Sequence, residues 1–133
     1  MLRSGHRDRG GACLFWPFYF LEPTYAGATF HQIDATSDTG PIIHQVVPKL
    51  EVGDRLQDVS QKVVVAMADA LVKLLPKLES WTYHPQTATG KQFLAKDFRP
   101  EHLRVPYSLF DDDLVDRYLR GGLACSVPKL VTQ

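Results

Sequence analysis

Residues 28–45, ATFHQIDATSDTGPIIHQ, constrain the fold more tightly than any other stretch. Large side chains alternate over residues 28–33 and predict a strand. Residues 41–47 are rich in β-branched side chains and predict a second. Between them lies a short polar loop, residues 34–40. It carries two carboxylates, Asp34 and Asp38, with His31 three residues ahead of the first. The Asp-Thr-Gly-Pro run at 38–41 reverses the chain: Gly40 tolerates a positive φ, and Pro41 can begin a strand but not sit in its middle. Amides in such a turn are not all consumed by a ladder and can hold a ligand or orient a carboxylate.

At 133 residues the chain makes one domain or a piece of one, and 44% hydrophobic content is that of a folded protein. Fifteen basic residues balance fifteen acidic ones, so no global field draws nucleic acid or a membrane. The apolar run at 14–21 is far too short to cross a bilayer, and no small-residue cleavage site follows it. Cys13 and Cys125 are far apart and form no motif. They are expected to be reduced thiols in a cytoplasmic protein.

Further along, residues 13–20 predict a short aromatic helix, with Pro17 tolerated in its first turn. Asp54 is a candidate N-cap with Gln57 in the capping-box position. From there Leu56, Val59, Val63, Met67, Leu71, Leu74 and Leu78 recur every three or four residues. They predict a long amphipathic helix buried on the two strands, with Pro76 kinking or ending it. Residues 81–90 read as a loop. Residues 91–98 read as a short strand with Phe93 and either Leu94 or Phe98 inward. Residues 111–120 predict a last helix whose leading aspartates favour its positive end, stopped by Gly121-Gly122. The tail, 123–133, is expected to be loosely held, and His84 and His102 to be exposed.

These residues also resemble a known family. His31 in a first strand, Asp38-Thr39-Gly40, and Ile42-Ile43-His44-Gln45 in a second resemble the strand–loop–strand segment of the folate-dependent formyltransferases. That group includes glycinamide ribonucleotide formyltransferase and methionyl-tRNA formyltransferase. Arg9-Gly10 followed by Phe15-Trp16-Pro17 is similar to the block preceding that segment, and Gly53-Asp54 to the step introducing the family's long helix. The resemblance implies an α/β fold: two or three strands with a long helix on one face, the C-terminal part of a formyltransferase domain. It divides the chain into a flexible opening at 1–11, the main resemblance at 12–98, and a helical extension with a tail at 99–133.

The family moves a formyl group from formyl-tetrahydrofolate to an amine. By resemblance Asp38 is the acid of that chemistry and His31 the supporting strand histidine. Asp34, Ala35, Thr36 and Ser37 lie where the family's loop approaches the folate. The glycine usual between the two acids is replaced by Ala35-Thr36-Ser37. The family's upstream Asn-x-His pair would fall at or just before Met1, and the chain contains no asparagine. The expectation is therefore a formyltransferase incomplete on its own, acting on a small amine such as an amino-sugar and forming a homo-oligomer or pairing with a partner half-domain. The alternative is a catalytically inactive fragment serving as a pairing or oligomerisation module. Taken without the resemblance, His31 reads as a half-buried strand histidine and Asp38 as a turn residue bonding its own backbone. A metal site from His31, His44, Asp34 and Asp38 lacks the usual close ligand spacings, and none is expected.

Overall fold

A computed structural model describes residues 8–10, 14–35, 39–86 and 91–133. The expected hairpin is present. Strand β2 (Ala28–His31) pairs antiparallel with β3 (Ile42–Val46), in a register that sets Phe30 opposite His44 and His31 opposite Ile42. An irregularity falls between Phe30 and His31. It leaves Ile43 as an extra residue of β3, and the pairing resumes at His31 and Ile42 before the chain enters the loop. A second, parallel pair joins β1 (Asp8–Gly10) to β4 (Lys91–Phe93). Residues 8–10, placed in the flexible opening by their glycines, are thus strand, because β4 offers their backbone a ladder. Beyond β4 the strand expected through residue 98 gives way to a single 3-10 turn, Ala95–Asp97, closed by Leu94 N–H donating to Asp97 Oδ2 at 2.8 Å. Phe93 is buried, Phe98 packs partly on the core, and Leu94 faces water.

Helix α1 (Trp16–Tyr19) is shorter than expected, and residue 13 lies outside the described residues. Leu21 at φ 58° turns the chain out of it. Helix α2 (Leu56–Leu74) packs against both β2 and β3 and passes into a 3-10 turn, Leu75–Ser80, at Pro76. Its start differs from the expected capping box. Arg55 is the N-cap residue, and Asp58, not Gln57, reaches back to the Arg55 N–H at 2.8 Å. Asp54 instead accepts from Glu51 N–H at 2.9 Å and from Lys62 Nζ at 2.8 Å, so it closes the preceding turn.

The predicted stripe splits in two. Leu56, Val59, Val63, Ala70 and Leu74 are buried, whereas Met67, Leu71 and Leu78 are 39%, 40% and 53% exposed. The cause is helix geometry: at about 100° per residue, Leu71 lies roughly 60° around the axis from Leu74. The sequence spacing marks one broad apolar face, of which this chain covers only a side.

The main core unites Phe15, Trp16, Phe18, Ala26, Leu56, Val59, Val63 and Phe93 with Leu114 and Val115 of the last helix, α3 (Leu114–Leu119). That helix begins later than residue 111. Asp111 and Asp112 have φ of 51° and 52°, left-handed values that exclude them from a helix. Acids of this region reach across to the start of α2, while Asp113 stays with α3, its Oδ1 accepting from Arg117 Nε. Asp112 Oδ1 accepts from Leu56 N–H at 3.0 Å, and Asp116 Oδ1 accepts from Gly53 N–H at 2.7 Å. Burial raises the Asp112 carboxyl above its ordinary pKa, against the lowering by the Leu56 N–H and the Arg55 guanidinium.

The tail is tied down, not loose. Gln45 is buried and grips Val131 with both backbone and side chain: Gln45 N–H donates to Val131 O at 2.8 Å, and Val131 N–H to Gln45 Oε1 at 3.1 Å. Thr24 and Tyr25 hold Ser126 through bonds of 2.7 Å each. The outer edge of β3 supplies Gln45, the 3-10 turn Pro23–Tyr25 supplies Thr24 and Tyr25, and the tail satisfies them. Cys125, the free thiol among the described cysteines, is half-buried with its Sγ 2.8 Å from Thr24 Oγ1. Among the described residues, no helix is long and apolar enough to cross a membrane.

Candidate active-site hairpin

The hairpin loop is set by close approach at Gly40. A Cβ on Gly40 would lie 1.6 Å from Gln32 O, a distance no real contact reaches. Gly40 is not left-handed; positive φ occurs at Gly53 and Gly121 instead. The glycine is needed for space rather than for the dihedral freedom its turn composition implies. Gln32 N–H donates to Pro41 O at 2.9 Å and continues the pairing across the mouth of the loop.

Above this closure stand the candidate residues that are described. His31 is half-buried at the end of β2, with Nδ1 3.0 Å from Gln32 O. A carbonyl oxygen only accepts, so that contact fixes the proton on Nδ1 and leaves Nε2 the basic nitrogen of the neutral ring. Asp34 is exposed, and the Thr39 hydroxyl spans its two oxygens at 3.3 and 3.2 Å. That bond joins the two arms of the loop. Ala35 is exposed beside them. Thr36, Ser37 and Asp38 lie outside the described residues.

His44 takes no part in this group. It sits on β3 opposite Phe30, and its Nδ1 accepts from Gln133 N–H at 3.2 Å. Its tautomer is therefore the reverse of that of His31. Burial lowers its pKa below the ordinary histidine value. His84 is exposed as expected, but its backbone pairs with Ile42 in both directions, at 2.7 and 2.8 Å, and buttresses β3. His102 is half-buried rather than exposed. Its ring packs edge-on to Trp16 and Tyr19, 5.1 Å from each, and its Nδ1 accepts from Arg99 N–H at 3.0 Å. Among the described residues no three His, Cys, Asp or Glu side chains converge as metal ligands.

One residue at the hairpin has no counterpart in the sequence reading. Gln86 donates its side-chain amide to Gly40 O, while its Oε1 is buried with no hydrogen-bonding partner. It fell in a segment whose proline, threonines and glycine spoke only of a loop. A glutamine there carries no signal until the strand it clamps is known. The clamp and the close approach hold Gly40 against Gln86 and Gln32, and His31 and Asp34 stand on the neighbouring arm. A half-buried histidine and an exposed carboxylate placed together in this way can orient a polar reactant and move a proton.

The known proteins that this chain is similar to are formyltransferases. Over 95 residues, 71% of its length, the chain is 29% identical to the methionyl-tRNA formyltransferase of Corynebacterium efficiens. The match to that of Corynebacterium aurimucosum has the same identity and length. The chain spans about 30% and 28% of these relatives. Among solved structures, a 4-N formyltransferase from Francisella tularensis matches 73% of the chain and 41% of its own, at 22% identity and a TM-score of 0.60. The formyltransferase PseJ from Anoxybacillus kamchatkensis, solved with UDP-4,6-dideoxy-4-formamido-L-AltNAc and tetrahydrofolate, matches 85% of the chain and 60% of its own, at 24% identity and a TM-score of 0.65. These two show the fold. No family model matches the chain.

Proposed function

From the premise that this chain is related to the folate-dependent formyltransferases over part of their domain, we propose that it serves transfer of a formyl group from formyl-tetrahydrofolate to an amine. The observation that carries the reading is the β2–β3 hairpin. Its loop is closed by a sterically obligatory glycine and presents His31 and Asp34 at its rim, within a chain of formyltransferase fold. In the reaction the amine nitrogen attacks the formyl carbon, the new N–C bond forms, and the bond from that carbon to the folate nitrogen breaks. The proton lost by the amine is taken up by the departing folate nitrogen.

In this reading Asp38 is the acid that steers the proton. His31, with Nε2 as its basic nitrogen, supports the same site. In the same reading Asp34, Ala35, Thr36 and Ser37 meet the folate, and the Thr39 hydroxyl bonds the Asp34 carboxylate across the loop. An amino-sugar acceptor is supported by the sugar nucleotide bound to PseJ. The family's oxyanion donor and proton-carrying histidine belong to an Asn-x-His pair that has no match among these 133 residues, so in this reading the residues given supply only part of the machinery. Loss of one oxyanion donor costs on the order of a hundred- to a thousand-fold in rate.

The test is turnover of formyl-tetrahydrofolate with a panel of amino-sugars, by the chain alone and with the amino-terminal part of a relative. Activity in the mixture, abolished by Asp38→Asn and reduced by His31→Gln, is the expected result. No turnover in either sample would leave the inactive pairing module as the better account. Turnover by the chain alone would show that the machinery is complete without the earlier part.

A further inference from the structure

Around α1, Trp16, Tyr19 and Phe20 follow one another at i, i+3 and i+4, so their rings share one face. Trp16 is buried and stacks on Phe93 of β4, with 4.1 Å between ring centroids. Phe20, just past the helix, stacks on Trp16 at 6.1 Å and is 40% exposed. The turn Ala95–Asp97 and the 3-10 turn Pro100–Leu103 bring Asp97, Arg99 and His102 to the same place. Together these side chains line a pocket of about 390 Å³, within the size range of small-molecule sites. Its polar groups keep bonding capacity. His102 Nδ1 accepts from Arg99 N–H at 3.0 Å, which puts the proton of the neutral ring on Nε2 and leaves Nε2–H a donor. The Arg99 guanidinium, on an exposed residue, makes no ion pair or ring contact among the described residues. Asp97 accepts from Leu94 N–H through Oδ2 and keeps Oδ1 as an acceptor. Two other cavities are poorer sites. In the groove of about 560 Å³ beside α2, Lys62 is already held by Glu51 and Asp54 at 2.7 and 2.8 Å. The cavity of about 270 Å³ between Pro23 and Pro128 is walled almost wholly by apolar side chains.

We propose that this pocket binds a nucleotide, its base flat against Phe20 and its phosphate on Arg99. The chemistry of the lining chooses that class. An aromatic wall with an exposed ring takes a planar ring by stacking. The polar groups around it suit a ring with hydrogen-bonding edges: His102 Nε2–H donates to a ring acceptor, and Asp97 Oδ1 accepts from a ribose hydroxyl or an exocyclic amine. A guanidinium with no carboxylate partner fits a phosphate, whose oxygens match its paired N–H donors. A wholly apolar ring would leave all three polar side chains without partners. A bare phosphate would leave the exposed Phe20 ring in water. The pocket shares no residue with the β2–β3 hairpin, so the inference stands without the formyl-transfer reading.

The experiment titrates uridine monophosphate and adenosine monophosphate into the 133-residue chain by calorimetry, with no folate present. The expected result is one-to-one binding of at least one of them. Arg99→Gln weakens it roughly tenfold, and Phe20→Ala does so independently. Arg120→Gln, at an exposed arginine away from the pocket, leaves it unchanged. Arg99 is exposed, so its substitution leaves the core intact, and circular dichroism confirms that each variant is folded. Ribose phosphate binds at least tenfold more weakly than the nucleotide and is indifferent to Phe20→Ala. The nucleoside without phosphate binds more weakly and is indifferent to Arg99→Gln. Amide resonances of residues 16–20 and 97–102 shift on nucleotide addition. Absence of binding at millimolar nucleotide would overturn the proposal. Ribose phosphate binding as tightly as the nucleotide would reduce the site to an anion contact and overturn it too. Nucleotide binding that survives both substitutions would place the ligand elsewhere on the molecule.

Discussion

Replacing Gly40 with alanine tests the hairpin where it is tightest. The new Cβ would meet Gln32 O at 1.6 Å, where real Cβ atoms essentially never come under 3.0 Å. The obstacle is backbone, so no side chain can swing aside. Relief requires β2 and β3 to part at the loop. That movement breaks the bond from Gln32 N–H to Pro41 O and the clamp from Gln86 to Gly40 O. Each lost bond costs about 0.5–1.5 kcal/mol, and orphaning buried groups adds about 1–3 kcal/mol. A total of roughly 2–6 kcal/mol follows, which lowers the melting temperature by on the order of 10–20 °C in a domain of this size. Gly53→Ala is the control. Its φ is 91° and nothing lies within 4 Å of an added Cβ, so it carries only the left-handed penalty of about 1–2 kcal/mol. Urea denaturation of both variants against the parent, read by tryptophan fluorescence, gives the comparison. If Gly40→Ala is no more destabilising than Gly53→Ala, close approach is not what the glycine is for.

On α2, Leu74→Ala is expected to cost about 2–5 kcal/mol and Leu71→Ala about 1 kcal/mol or less, because Leu74 is 5% exposed and Leu71 40%; equal losses in denaturant titrations would refute the split of the helix face. His44 makes stability fall on the acid side. Its folded pKa is lowered by burial from 6.5, so its contribution is complete above that pH and is lost as pH drops through the depressed folded value. His44→Gln should flatten that slope, and amide exchange at Gln133 should quicken as His44 protonates and stops accepting its N–H.

The hairpin was legible because its signals are local: alternation, β-branching and a turn dipeptide all act within a few residues. The α2 helix was legible as a helix for the same reason. Which part of its apolar arc is covered was not, since Leu71 and Leu74 look alike until a partner surface is placed beside one of them. The aspartates at 111–113 read as a helix start. Two of them instead adopt left-handed backbone, and Asp112 caps a helix 56 residues earlier. Sequence order carries no trace of such a pairing. His31 and Asp34 were identified through the family resemblance, and the structure adds the tautomer and the Thr39 bond. Gln86, and Gln133 whose side-chain amide donates to Ile43 O and Thr82 O, were invisible for a common reason: an amide side chain announces nothing until the backbone group it will satisfy is known.

The bonds between the chain's two ends carry a kinetic consequence. Thr24 meets Ser126 across 102 positions and Gln45 meets Val131 across 86. Closing so long a loop brings no reward until both ends are in place, and topologies dominated by such contacts fold slowly. While the chain is being synthesised, β2 and β3 can pair long before the residues that seal β3 exist. Throughout that interval the outer edge of β3 is open to any other strand, so nascent or refolding chains should be most prone to aggregate before residues 126–133 arrive. Refolding yield should then fall with protein concentration, and more steeply when those last residues are removed.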